Sequence, residues 1–140
     1  MIYQLSVFLE NKFGRLSEIL GIIAREDVRI IASTVSDTTE FGILRLIVSD
    51  PQKAEMALRG HNISVKKSEV LAISTETKAG SLASVLEPFM AAGINIEYMY
   101  SFCNRNGYTI IMRVNNRDTA LDVVHKNNLN DLTETDIINF

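Results

Sequence analysis

Cysteine is almost missing from this chain: Cys103 stands alone among 140 residues. One thiol forms no internal disulfide and no four-cysteine zinc site, which excludes a disulfide scaffold and a zinc-stapled module. Tryptophan is absent and there are two prolines. No apolar run approaches the ~18 residues that cross a bilayer, so a helical membrane protein is excluded. The start, Met1-Ile2-Tyr3-Gln4-Leu5, lacks the basic segment and cleavage site of a secretory leader. Neither sign of charge dominates, since 14 basic against 17 acidic side chains leave a net charge of −3. That balance offers no long-range attraction to a phosphate backbone. Together these absences predict a cytoplasmic protein with neither a membrane nor a nucleic acid as partner.

What is present is present twice. At an offset of 66, Gly14-Arg15-Leu16-Ser17 lies over Gly80-Ser81-Leu82-Ala83, Ile19-Leu20 over Val85-Leu86, and Ile23 over Phe89. Val28-Arg29-Ile30 then meets Ile94-Asn95-Ile96. A one-residue slip sets Phe41-Gly42 over Asn106-Gly107, and a compensating slip sets Ala54 and Leu58 over Ala120 and Val124. The expected domains are residues 1–68 and 69–140. No Gly/Ser-rich or Pro-rich linker separates them, so two docked units are expected rather than two tethered ones.

Each copy carries the same order of elements. Tyr3, Leu5, Val7 and Leu9 alternate with Gln4, Ser6 and Glu10, the period of a half-buried strand. Leu16, Ile19, Leu20 and Ile23 recur at helical spacing, as do Leu82, Val85, Leu86 and Phe89. Strands are predicted near Val28–Asp37 and Phe41–Ser49, joined by the polar turn Asp37-Thr38-Thr39-Glu40. Asp50-Pro51 reads as N-cap and first residue of a helix that Gly60 stops. A short strand near Ser64–Ser68 leads into another at Glu69–Thr75. The predicted class is α+β, two ferredoxin-like βαββαβ sandwiches with antiparallel sheets, docked side by side. A 70-residue sandwich has a thin core and open edges, which a duplicated neighbour relieves.

Residues able to do chemistry are scattered. His61 and His125 stand apart with no catalytic motif around them, and there is no phosphate loop, His-Glu-x-x-His or nucleophile elbow. Asp122, Glu134 and Asp136 read as surface charges. No catalytic residue, metal site or cofactor is assigned. The βαββαβ order also occurs in RNA-recognition modules, and Tyr98, Tyr100 and Phe102 alternate onto one strand face. The third strands, Phe41–Leu46 and Gly107–Ile110, do not match that module's signature, so interface packing is the better job for those rings.

The first strand-to-helix turn, Glu10-Asn11-Lys12-Phe13-Gly14-Arg15-Leu16, says more. A polar side chain, a glycine and the unpaired N–H groups of a helix start suit a small carboxylate. The turn is repeated as Thr77-Lys78-Ala79-Gly80-Ser81-Leu82. These turns, their helices and Ala92-Gly93-Ile94-Asn95-Ile96 resemble the ACT domain, a small ligand-sensing module of amino-acid metabolism. The resemblance covers both copies and is strongest to stand-alone tandem ACT proteins. Both copies lack the family's turn proline, with Phe13 and Ala79 in its place.

The resemblance implies side-by-side pairing, with an amino acid bound where one copy's turn faces the other's second strand. It assigns Asn11, Phe13, Gly14, Arg15, Leu16, Ile94 and Asn95 to a ligand site, the amides of Gly14, Arg15 and Leu16 taking the carboxylate. Arg29, Thr77, Ala79, Gly80 and Leu82 would form a second, altered site. An asparagine carboxamide both donates and accepts, so it can serve an ammonium and a carboxylate. The expected function is a non-enzymatic amino-acid sensor acting through an amino-acid-metabolism enzyme or a transporter, as a homodimer. The alternative is a structural dimerisation module that docks on a metabolic enzyme without ligand. A small hydrolase or isomerase, the third possibility, needs a poised base that the sequence does not offer.

Overall fold

A computed structural model describes residues 1–37, 40–105 and 107–140. Thr38 and Thr39 of the expected polar turn, and Asn106, lie outside the described residues. The elements run β1 (Ile2–Glu10), α1 (Arg15–Arg25), β2 (Ile30–Asp37), β3 (Phe41–Val48), α2 (Pro51–Gly60), β4 (Val65–Thr75), α3 (Ser81–Ala91), β5 (Ile96–Asn104), β6 (Gly107–Val114), α4 (Arg117–Lys126), β7 (Asn130–Asp131) and α5 (Glu134–Ile138). The chain divides into two compact units. The N-terminal unit comprises Tyr3–Ser68 with Ile137–Asn139, and the C-terminal unit Met1–Ile2, Glu69–Asp136 and Phe140.

Both units use one topology. The N-terminal unit orders its strands β2-β3-β1-β4. The C-terminal unit orders its own β5-β6-β4-β7, all adjacent pairs antiparallel. In the first unit Leu5 lies opposite Leu46 and Val7 opposite Leu44. In the second, Leu71 lies opposite Met112 and Ile73 opposite Ile110. Alternation puts these side chains on the helix-facing side of each sheet. There they meet Ile19, Ile22, Ile23, Ala54 and Leu58 in one core, and Val85, Phe89, Ala120 and Val124 in the other. Burying one such aliphatic or aromatic side chain contributes about 1.5–3 kcal/mol.

The repeat is tighter in space than in letters. β3 and β6, α1 and α3, and α2 and α4 each begin 66 residues apart, so no slip is needed. Phe41, rather than Gly42, is the counterpart of Gly107, and the expected slip is withdrawn. Both second strands carry a register shift at equivalent places, Ile30/Ala32 and Ile96/Tyr98. Asp50 accepts from the Lys53 N–H at 3.0 Å and Asn116 from the Thr119 N–H at 3.1 Å, matching N-caps for α2 and α4. Four helices are followed by a left-handed residue: Asp27, Asn62, Gly93 and Asn128. Behind three of them the next amide reaches back to close the helix, Ile63 to Leu58 O, Ile94 to Phe89 O and Leu129 to Val124 O.

Three expectations need correction. Gly60 does not stop α2; it is the last helical residue, and the left-handed turn is made by Asn62 at φ 58°. The two short strands expected at Ser64–Ser68 and Glu69–Thr75 are one, β4. The last strand of the second copy is only two residues long, because the chain turns into α5. That helix begins with a reciprocal capping arrangement: the Thr133 N–H donates to Asp136 Oδ2 at 2.8 Å, and the Asp136 N–H donates to Thr133 Oγ1 at 3.3 Å.

Candidate functional site

The β1–α1 turn is built from short-range bonds. The Lys12 N–H donates to Glu10 O at 2.8 Å, the Asn11 N–H to Glu40 O at 3.2 Å, and the Arg15 N–H to Lys12 O at 3.1 Å. Gly14 then caps α1 in the left-handed region, φ 77°, with no side-chain cap bond. A Cβ built there would meet nothing within 4 Å, so glycine is required by backbone conformation and not by crowding. The second turn repeats the design. Gly80 caps α3 at φ 85° and the Ser81 N–H donates to Lys78 O at 3.2 Å.

Each turn also carries an exposed ion pair two residues apart, Lys12–Glu10 at 2.6 Å and Lys78–Glu76 at 2.7 Å. The hydrogen bond from Lys12, then its charge, holds the Glu10 carboxyl below its ordinary value. Lys78 does the same to Glu76, whose carboxylate in return raises the Lys78 ammonium.

Against the first turn lies a cavity of about 210 Å³, lined by Leu9, Glu10, Asn11, Lys12, Leu16, Val35, Phe41 and Gly42. It is smaller than the ~300 Å³ at the low end of drug-sized sites, a scale suited to a small metabolite. Asn11 and Leu16, both expected at a site, meet here. A wider trough of about 740 Å³ follows α1, and Gly14 and Leu16 line it. Phe13 stands fully exposed. Arg15 is otherwise engaged: its amide is used within the turn and its Nη1 pairs with Glu18 at 3.0 Å. Its expected role as a carboxylate-binding amide is therefore withdrawn, leaving the amides of the cap residue Gly14 and of Leu16.

The starts of the second strands match each other as well. Arg29 donates its N–H to Ser49 Oγ and accepts from the Ser49 N–H, both at 2.9 Å. Asn95 donates its N–H to Asn115 Oδ1 at 3.1 Å and accepts from the Asn115 N–H at 3.2 Å. The Asn95 carboxamide is exposed and has no partner among the described residues. Ile94 points into its core, and its amide is committed to Phe89 O. The Arg29 guanidinium donates to the backbone carbonyl of Ile138 in α5. That contact was not legible, although Thr133-x-x-Asp136 is a capping signature for the helix that makes it.

At the second turn Thr77, Ala79 and Gly80 are exposed and Leu82 is half-buried against its core. Ser81 is buried, and its Oγ has no hydrogen-bond partner among the described residues. Tyr98, Tyr100 and Phe102 are half-buried on one face of β5, opposite Arg113, Ile111 and Thr109. Among the described residues no group of three or more His, Cys, Asp or Glu side chains can hold a metal. Among them, too, no helix is long and apolar enough to cross a membrane.

Two βαββαβ sandwiches with the same glycine-capped turn define a class: duplicated regulatory-type modules of the ACT kind. The ACT domain pair family model matches residues 1–140, and the chain belongs to that family. Its structure is similar to the crystal structure of protein BT0572 from Bacteroides thetaiotaomicron, with 40% identity, 99% of this chain and 96% of that chain covered, and a TM-score of 0.94. The regulatory subunit of aspartate kinase from Thermus thermophilus, in a ligand-free form, shares the fold at 14% identity. That match covers 89% of this chain and 90% of that one, with a TM-score of 0.63. The corresponding subunit from Thermus flavus matches at 15% identity over the same shares, with a TM-score of 0.60. No curated protein matches the chain.

Proposed function

We propose that the chain is a non-enzymatic sensor of a free amino acid, bound at the β1–α1 turn of the N-terminal unit. One observation carries this reading: Asn11 lines a small cavity beside a helix start whose cap is a glycine rather than a side chain. Early helix amides have no intrahelical acceptors and carry partial positive charge, so they favour a carboxylate. The Asn11 carboxamide can serve the ammonium or the carboxylate. Phe13, exposed and next in sequence to the cavity-lining Lys12, would cover the ligand's side chain.

The unpartnered Asn95 carboxamide is a second ligand group in this proposal. The turn with Thr77, Ala79, Gly80 and Leu82, and the arginine at position 29, belong to an altered site. The signal would pass to an enzyme or transporter of amino-acid metabolism in the cytoplasm, with the chain as a homodimer. Coupling of this kind is typically 1–3 kcal/mol.

A thermal-shift screen of the twenty amino acids tests the reading. Ligand at about 100 times its Kd adds about 2.7 kcal/mol, a rise in Tm of about 2–8 °C. Asn11→Ala should reduce the shift by about a third or more, because losing a hydrogen bond that the ligand buries costs about 1–3 kcal/mol; Asn95→Ala reads the second group independently. A shift undiminished by Asn11→Ala places the ligand elsewhere. No shift with any amino acid favours the structural module.

A further inference from the structure

We infer that the order of one glycine and one aromatic residue decides which copy keeps a ligand cavity, and that this cavity selects a small aliphatic amino acid. The inference rests on the preceding reading of the β1–α1 turn and adds the identity of the ligand's side chain. β3 begins Phe41-Gly42, whereas β6 begins Gly107-Tyr108. The same two kinds of residue stand in opposite order at equivalent positions. Successive side chains of a strand point to opposite faces, so the reversal carries the aromatic ring across the sheet.

In the N-terminal unit Gly42 lies opposite Leu9, on the helix-facing side with Leu44 and Leu46. Alternation sets Phe41 on the other face, where its ring centroid is 5.1 Å from that of Phe8. With no side chain on Gly42, the space beside Leu9 stays open as part of the cavity of about 210 Å³. In the C-terminal unit Tyr108 lies opposite Thr75, on the face from which Ile110 and Met112 enter the core. Tyr108 is half-buried and stands where Gly42 leaves a gap.

The walls differ in the same sense. Leu9 and Val35 line the cavity, and the residues 66 positions on are Thr75 and Ser101. Val35 is 43% exposed and Leu16 39%, apolar surface that a hydrophobic ligand group would take out of water. These walls offer no partner to a charged or amide side chain, whose burial there would be costly. Volume sets the upper limit. An apolar cavity of about 150 Å³ takes benzene, so about 210 Å³ has room for roughly two or three further non-hydrogen atoms. Valine, leucine and isoleucine fall at that size, whereas phenylalanine and tryptophan exceed it.

Titration calorimetry of the full chain with each of the twenty amino acids tests the inference. Valine, leucine or isoleucine should bind about tenfold or more tighter than alanine, which leaves the walls uncovered, and than phenylalanine, which overfills them. One molecule should bind per chain. Gly42→Val fills the gap and should weaken leucine binding about tenfold or more while sparing alanine; its urea midpoint shows whether the variant folds. Leu16→Ala widens the cavity from another wall and should bring phenylalanine to within about tenfold of leucine. Binding of no amino acid overturns this inference together with the reading beneath it. Three outcomes overturn it alone and leave that reading standing: binding led by an aromatic, charged or amide side chain, two molecules per chain, or a leucine affinity indifferent to both Gly42→Val and Leu16→Ala.

Discussion

Alanine at Gly107 should be far more damaging than alanine at Gly14, although both glycines have positive φ. At Gly107, φ is 125°, and an added Cβ would lie 2.2 Å from Thr75 O and 3.3 Å from the Thr75 carbonyl carbon. Those are backbone atoms of β4, held in place by the pairing of Thr75 with Tyr108. They cannot swing aside as a side chain can. Relief requires either parting β4 from β6 or forcing the φ angle, and each route is costly. Strained backbone accounts for about 1–3 kcal/mol and overpacking for about 1–3 kcal/mol more, so Gly107→Ala should lose about 2–6 kcal/mol. At Gly14, φ is 77° and nothing lies within 4 Å of the added atom, so only the left-handed conformation is charged, about 1–2 kcal/mol. In urea, with a slope of about 1–3 kcal/mol per molar, a 4 kcal/mol loss lowers the midpoint by about 1.3–4 M. Circular dichroism of both variants through a urea titration checks the contrast. A Gly107→Ala midpoint no lower than that of Gly14→Ala would refute the steric reasoning.

Two further outcomes follow from local geometry. Asp50→Ala and Asn116→Ala each remove a side-chain cap that accepts a backbone N–H, and each should cost about 0.5–2 kcal/mol in equilibrium unfolding. Equal losses would agree with the equivalence of the two units. Asp136 is held below its ordinary value, first by the Thr133 N–H and then by the Thr133 hydroxyl. A depressed carboxyl stabilises the folded form above its unfolded value near 3.8 and loses that contribution as pH falls through the lower folded value. The Thr133 amide resonance should therefore titrate below pH 3.8 in the native chain and stay constant in Asp136→Asn.

Much of this fold could be read from the residues, and the misreadings have physical causes. Alternation in Tyr3–Glu10 identified β1, and Asp50-Pro51 marked the start of α2 because cap chemistry is local. The α1 stripe was half right. Ile19 and Ile23 are core and Ile22 is buried beside them, while Leu20 packs against that core only partly buried and Leu16 is exposed. Periodicity defines an apolar face only to within a residue or two, and the sheet chooses which edge of it is covered. Gly60 misled because glycine is a common helix stop, whereas Asn also reaches the left-handed region. The slip at Phe41-Gly42 came from matching glycines by type; Gly107 answers to a close backbone approach that no letter records.

At the candidate site, Asn11's place in the turn was legible because the turn recurs with its glycine and its helix start. The loss of Arg15's amide to Lys12 O, and the hold of Ile138 on Arg29, were not. Both depend on backbone geometry and on contacts between distant segments rather than on residue type.

The duplicated turns after α1 and α3 have not aged equally. Asp27 and Gly93 occupy the same left-handed slot at φ 57° and 69°, but only glycine rests there without steric penalty. The earlier half thus holds a tension of up to about 1–2 kcal/mol that its sibling has shed. Under thermal or chemical stress, this makes residues 23–28 a natural place for fraying to begin, on the strand-entry side where Arg29 sits.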